Sequence, residues 1–325
     1  MKTIPNLPFV RLTPFSEVEE KRRVLLVTSM PAWNAVSASL RGLHTVARLE
    51  ATQANTAHWD ELQSKIGAQE PEVVYAVGGG LTADAGKYLA SRLNLELVVL
   101  PTALSVDAFL TSASGIRRDG CVYYIPTKAP ESLILDLEVI AGAPPSIRAA
   151  GVTDVMSIAT GCWDWKFAHE RGKNPPGMGF IPWVYHTAQS ILEGVLDCAE
   201  AAGRGDPDGL KTLYDCLALE VQLCNQVGHA RPEEGSEHYF AYCVENYLGH
   251  GLPHGDLVGP GILLMARLQG QDTRRYEAAL RACNIPLERI PAEATAQTLK
   301  DLPAYCAKHG LPFGIAHTLQ AGDSG

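Results

Sequence analysis

His238 and His254 lie sixteen residues apart (254 − 238), in Gly235-Ser236-Glu237-His238 and Leu252-Pro253-His254-Gly255, and Asp154 ends the upstream segment Ala150-Gly151-Val152-Thr153-Asp154. Two imidazoles and a carboxylate suit a catalytic divalent metal, in which three protein ligands leave one position open. A second stretch points to anion binding. The apolar run 73–77 enters Gly78-Gly79-Gly80 and then Leu81-Thr82-Ala83-Asp84-Ala85-Gly86-Lys87, reading as a strand, a triple-glycine turn and the start of a helix. Glycines let the backbone approach a pyrophosphate closely, and the helix N-terminus turns amide donors and a positive dipole end toward the same anion. The pattern is neither Gly-x-Gly-x-x-Gly nor a Walker loop, and a tight structural turn would use the same residues. The next apolar run ends in Leu100-Pro101-Thr102-Ala103-Leu104-Ser105-Val106-Asp107. That places hydroxyls and a carboxylate at a strand's carboxyl edge, where open α/β sheets bind ligands. Two such loops side by side predict a dinucleotide site.

The elements that must position these groups follow from hydrophobic patterning. Runs 23–29, 73–77, 95–100 and 132–137 read as short strands, with helical stretches such as 84–93 between them. Strand and helix in alternation predict parallel βαβ units. Residues 1–148 are therefore expected to form an α/β domain. After Pro144-Pro145, helix-period stretches 187–202, 209–226 and 236–248 dominate, which predicts an all-helical domain over 149–325. Segments 175–179 and 203–207 read as loops, and Asp119-Gly120 after Arg117 and Arg118 as a turn between strands, neutralising a substrate phosphate being the alternative role of the two arginines.

Composition narrows the function. With 325 residues, 46% hydrophobic and 19% charged, the chain can bury a sizeable core. A net charge of −9 and a pI near 5.6 argue against nucleic acid or an anionic membrane surface and favour a small-molecule substrate. The eight cysteines contain no Cys-x-x-Cys pair and read as reduced thiols of a cytoplasmic protein. No apolar run reaches the ~20 residues of a membrane span.

Taken together, Gly78-Gly79-Gly80-x-x-x-Asp84-x-x-Lys87, Pro101-Thr102-x-x-Ser105-x-Asp107, Asp136-Leu137-Glu138-Val139-Ile140, Ala150-Gly151-Val152-Thr153-Asp154, Asp164-Trp165 and the His238/His254 pair resemble sn-glycerol-1-phosphate dehydrogenases. These belong to the superfamily of metal-dependent alcohol dehydrogenases, glycerol dehydrogenase and dehydroquinate synthase. The resemblance spans roughly residues 20–270. It implies a dehydroquinate synthase-like fold, α/β plus all-α: an N-terminal Rossmann-like parallel-sheet domain, then a helical domain that carries the metal and substrate. It further implies that Gly78, Gly79, Gly80, Leu81, Thr82, Ala83 and Asp84, with Thr102, Ala103, Leu104, Ser105 and Thr111, hold NAD or NADP. By the same resemblance Asp107 meets substrate, Asp154, His238 and His254 bind zinc, and the protein is a homo-oligomer.

Iron-type members add a histidine one turn after the aspartate, and Ile158 stands there; three ligands with an open position favour zinc. Where the family carries a substrate-contacting histidine, one turn after the first metal histidine, this chain has Tyr242. A phenol donates a hydrogen bond but carries no charge near neutral pH. The expected reaction is hydride transfer from a nicotinamide to dihydroxyacetone phosphate or a related phosphorylated or polyhydroxylated ketone. Tyr242 and His250 are the nearest groups in sequence for proton delivery. Lys87 reads as either a solvated helix residue or a phosphate ligand. A sugar-phosphate cyclase of dehydroquinate synthase type, a lyase, is the competing reading, disfavoured by Asp154 and Asp164-Trp165; a non-catalytic descendant of the fold is a third.

Overall fold

Each of the four apolar runs forms a strand, and parallel pairing hides them on both faces of one sheet. In the computed structural model, which describes residues 4–320, the chain divides into two compact units, split after Pro144. The first contains β1 (Phe9–Leu12), β2 (Glu20–Thr28), α1 (Met30–Val36), β3 (Leu43–Glu50), α2 (Thr56–Ser64), β4 (Val73–Gly78), α3 (Gly80–Leu93), β5 (Glu96–Pro101), β6 (Ala113–Arg118), β7 (Cys121–Pro126), β8 (Ser132–Leu135) and α4 (Leu137–Ala141). Six strands form a parallel sheet in the order β1-β8-β5-β4-β2-β3. All six residues of β4 are buried, as a strand covered on both faces requires. The chain runs from β2 to β3 in one direction and from β4 onward in the other. The carboxyl ends of β2 and β4 therefore flank the point where strand order reverses, the position at which such sheets bind ligands.

β6 and β7 form a separate antiparallel hairpin, in keeping with the turn between strands expected after Arg117 and Arg118. Its turn is the expected one. Asp119 and Gly120 have φ of 54° and 73°, the conformation of a two-residue turn matched to strand twist.

The second unit holds α5 (Pro145–Arg148), α6 (Val152–Met156), α7 (Ile158–Glu170), α8 (Pro182–Arg204), α9 (Pro207–Val227), α10 (Ser236–Leu248), α11 (His254–Leu268), α12 (Arg274–Ala282) and α13 (Ala292–His309), with no strand among the described residues. Gly203 and Arg204, expected in a loop, are the last turn of α8. Glycine is required at 203 because α8 packs there on another backbone: an added Cβ would lie 2.0 Å from the Ala282 carbonyl oxygen. The break comes two residues later, at Gly205 (φ 81°), and Asp206 caps α9 by accepting the Gly209 N–H at 3.0 Å. None of the eight cysteines is in a disulfide. Among the described residues no helix is long and apolar enough to cross a membrane.

Candidate active site

In the first unit, β4 ends at Gly78 in register with Pro101 of β5, so the two predicted loops leave neighbouring strands. The Thr102 N–H donates to the Gly78 carbonyl at 3.2 Å, and Ser105 Oγ lies 3.5 Å from where a Cβ on Gly79 would sit. Gly78 has φ 153°, which L side chains rarely adopt, and a Cβ there would meet Thr82 Oγ1 at 2.7 Å. On Gly80 it would meet Val106 at 2.6 Å. The Thr82 and Ala83 N–H groups donate to the Gly79 carbonyl, so the first-turn amides at Gly80 and Leu81 are the donors α3 offers an anion. Ala103 and Leu104 are buried beneath this surface, while Thr102 and Ser105 are partly exposed.

Lys87 departs from both of its expected roles. It is fully buried, ion-paired with Asp84 at 2.9 Å, and donates to the Ala108 carbonyl at 2.8 Å, to Thr111 Oγ1 at 2.9 Å and to the Ala113 carbonyl. Burial pushes the Asp84 carboxyl above its ordinary range, with Lys87 opposing. Asp84 and Thr111 thus sit in a buried knot that ties α3 to the loop 107–113. Asp107 lies in that loop, partly exposed, its carbonyl accepting the Leu110 N–H at 2.7 Å. A group missed in the sequence is Thr28 at the end of β2, whose hydroxyl donates to the Val77 carbonyl at 2.7 Å beside the switch point. A hydroxyl pair, Thr28-Ser29, closing an apolar run was its available signal.

In the second unit, α6, α10 and α11 bring Asp154, His238 and His254 together, one donor atom from each lying within 4.8 Å of the others. His254 Nε2 is 2.8 Å from Asp154 Oδ1, and the two imidazole rings are 5.2 Å apart. His238 is oriented by a neighbour the sequence reading passed over: its Nδ1 meets Glu237 Oε1 at 2.9 Å, so that Nε2 is the nitrogen that could hold a metal. Glu237 is fully buried and itself fixed, accepting the Gly235 N–H and the Thr160 hydroxyl, each at 2.7 Å. Burial alone would lower the His238 pKa, but Glu237, with Glu234 and Asp154, outweighs it and raises the ring to about 9. A metal would therefore displace a proton on binding. The donor set, its spacing and the carboxylate behind His238 fit a divalent cation. Ile158 is fully buried and brings no fourth donor.

Tyr242 is also buried, its ring 6.0 Å from that of His238, and its hydroxyl donates to Glu234 at 2.9 Å. His250 lies exposed after α10.

Residues 10–144 match a family model described as iron-containing alcohol dehydrogenase. The glycerol-1-phosphate dehydrogenase (NAD(P)+) of Aeropyrum pernix is 31% identical over 248 residues, 75% of this chain and 67% of that protein. The enzyme of the same name from Metallosphaera sedula is 28% identical over 283 residues, 86% and 77% of the two chains. Among solved structures, a probable glycerol dehydrogenase from Sinorhizobium meliloti superposes with a TM-score of 0.67 at 20% identity, covering 98% of this chain and 92% of that one. That likeness shows the fold: the parallel-sheet unit followed by a helical unit.

Proposed function

The chain belongs to the glycerol-1-phosphate dehydrogenase family, NAD(P)-dependent oxidoreductases acting on CH–OH groups, and from that premise we propose a zinc-dependent reductase of dihydroxyacetone phosphate or a related phosphorylated or polyhydroxylated ketone. The observation that carries the reading is the convergence of Asp154, His238 and His254, with Glu237 behind His238. Asp154, His238 and His254 would hold zinc, which when bound would supply a Lewis acid for a substrate carbonyl. NAD(P)H supplies the hydride.

The chain's own residues bind, orient and move protons. The amides of Gly80 and Leu81 receive the pyrophosphate, and Gly78 and Gly80 keep the surface bare enough for it to approach. The Lys87 knot holds the 107–113 loop, so that Asp107 accepts a hydrogen bond from a substrate hydroxyl. Glu237 keeps the proton of His238 on Nδ1. Tyr242 and Glu234 form a hydrogen-bonded pair through which a proton can pass to the product. Eight reduced cysteines suit a cytoplasmic enzyme, and we propose a homo-oligomer.

The test is a steady-state assay of zinc-loaded protein with dihydroxyacetone phosphate and either NADH or NADPH. Loss of the reduced-nicotinamide absorbance is expected. A wholly flat trace with both cofactors would remove the substrate assignment, and cyclised product without net redox change would replace it with the lyase reading.

A further inference from the structure

Asp164, in α7, is fully buried and its carboxylate accepts hydrogen bonds from four donors. Oδ2 takes the Ser236 N–H at 2.8 Å and the Ser236 hydroxyl; Oδ1 takes the Ile315 N–H at 2.8 Å and Gln269 Nε2 at 3.2 Å. Ser236 Oγ in turn accepts the Ala316 N–H at 3.0 Å. Buried Arg231 donates to the Phe313 carbonyl at 2.9 Å, fastening the same segment. All four partners donate, which matches an ionised carboxylate near neutral pH, whereas an amide would turn its own donor toward donors at every pH.

Ser236 opens α10 two residues before His238, with Glu237 between them. The place where α10 begins is thus bonded to α7 and to the last described turn of the chain. There is no slack. A Cβ on Gly314 would lie 2.1 Å from Asp164 Oδ2 and 2.7 Å from Ser236 Oγ, and one on Gly235 would lie 2.8 Å from Gly161 Cα.

We infer that Asp164, Ser236 and the segment 313–316 are positioning residues of the metal centre: they fix the first turn of α10 and hence the direction of the His238 ring. The inference rests on the metal reading above. Its probe is Gly314→Ala, because Gly314 has φ −155°, extended backbone that any residue adopts, so contact with Asp164 and Ser236 is the obstacle to a methyl group there.

Metal-free wild type, Gly314→Ala and Ser236→Ala would each be titrated with Co2+, reading the dissociation constant and the visible absorption bands, with thermal melting of the metal-free proteins in parallel. Gly314→Ala is expected to weaken Co2+ binding roughly tenfold or more and to alter the bands, as loss of the groups that orient a ligand does. Ser236→Ala, which keeps the backbone donor but loses the bridge to Ala316, is expected to weaken it several-fold with a cooperative melt retained. Folded variants with wild-type affinity and bands would overturn the inference, whatever happens to their melting temperatures. Ser236→Ala decides alone if Gly314→Ala does not fold. Wild type that takes up no Co2+ would overturn the metal reading itself, and this inference with it.

Discussion

In the proposed reading, the first unit receives the cofactor pyrophosphate on main-chain amides at Gly80 and Leu81, while Lys87 and Asp84 work from beneath by holding the loop that carries Asp107. In the second unit the reverse holds: the donors are side chains on three helices, and backbone enters only as the N–H groups that fix Glu237 and Asp164. A backbone site needs the absence of side chains, so an added methyl harms it. A side-chain site fails when a side chain is removed. The contrast therefore lies in the donors themselves: deleting a side chain should remove a donor from the second unit, whereas in the first it leaves the backbone amides in place.

The largest effect belongs to deletion in the second unit. His238→Ala leaves two donors and an orphaned Glu237; kcat/KM is expected to fall by roughly three orders of magnitude or more, with stoichiometric zinc lost by elemental analysis. Deletion in the first unit, Thr102→Ala, should cost far less, and equal losses would break the comparison.

Addition comes next. Gly78→Ala places a side chain at φ 153° against Thr82, and should weaken NAD(P)H binding by roughly ten- to a hundredfold and destabilise the fold by about 1–3 kcal/mol, as melting and fluorescence titration would show. Gly79→Ala is the control: its Cβ would meet only Ser105 Oγ, at 3.5 Å, an ordinary contact, and its affinity should change little.

Glu237→Gln sharpens the contrast within the second unit. It keeps the shape and removes the charge behind His238, so zinc affinity should drop by roughly ten- to a hundredfold while cofactor binding is unchanged.

The last contrast is in pH. Burial pushes Asp164 from 3.8 to about 6, with Glu237 raising it further and the Ser236 and Ile315 donors and Arg231 opposing. The folded chain then holds a proton that the unfolded chain releases, so this group lowers stability as pH rises from about 4 to about 6. The span corresponds to on the order of 3 kcal/mol at most. Melting of wild type against Asp164→Asn over that range should show the wild-type advantage growing as pH falls; a constant gap would place the Asp164 pKa elsewhere.

The central strands were legible because they are continuous apolar runs, whereas the edge strands β1 and β3 mix in polar residues; the glycine turn and the His, His, Asp set stood out as candidates only through their combination and order along the chain. The rest was hidden for physical reasons. A lysine inside a helix normally reaches water, and Lys87 is buried only because carbonyls from residues 108 and 113 arrive to receive it. Asp164 could be noted beside Trp165, but its partners Gln269 and Ile315 lie 105 and 151 residues away, a distance local patterning does not bridge. Glu237 sat next to a candidate ligand in plain view. Its role depends on which imidazole nitrogen faces it, and that is set by the turn that opens α10.

Anomalous scattering at the zinc edge from zinc-saturated crystals tests the central claim most directly. The account predicts one strong peak with ligand distances of about 2.0–2.2 Å to a carboxylate oxygen of Asp154, Nε2 of His238 and Nε2 of His254. A fully active crystal with no peak among those three residues, or with its zinc elsewhere, would contradict it.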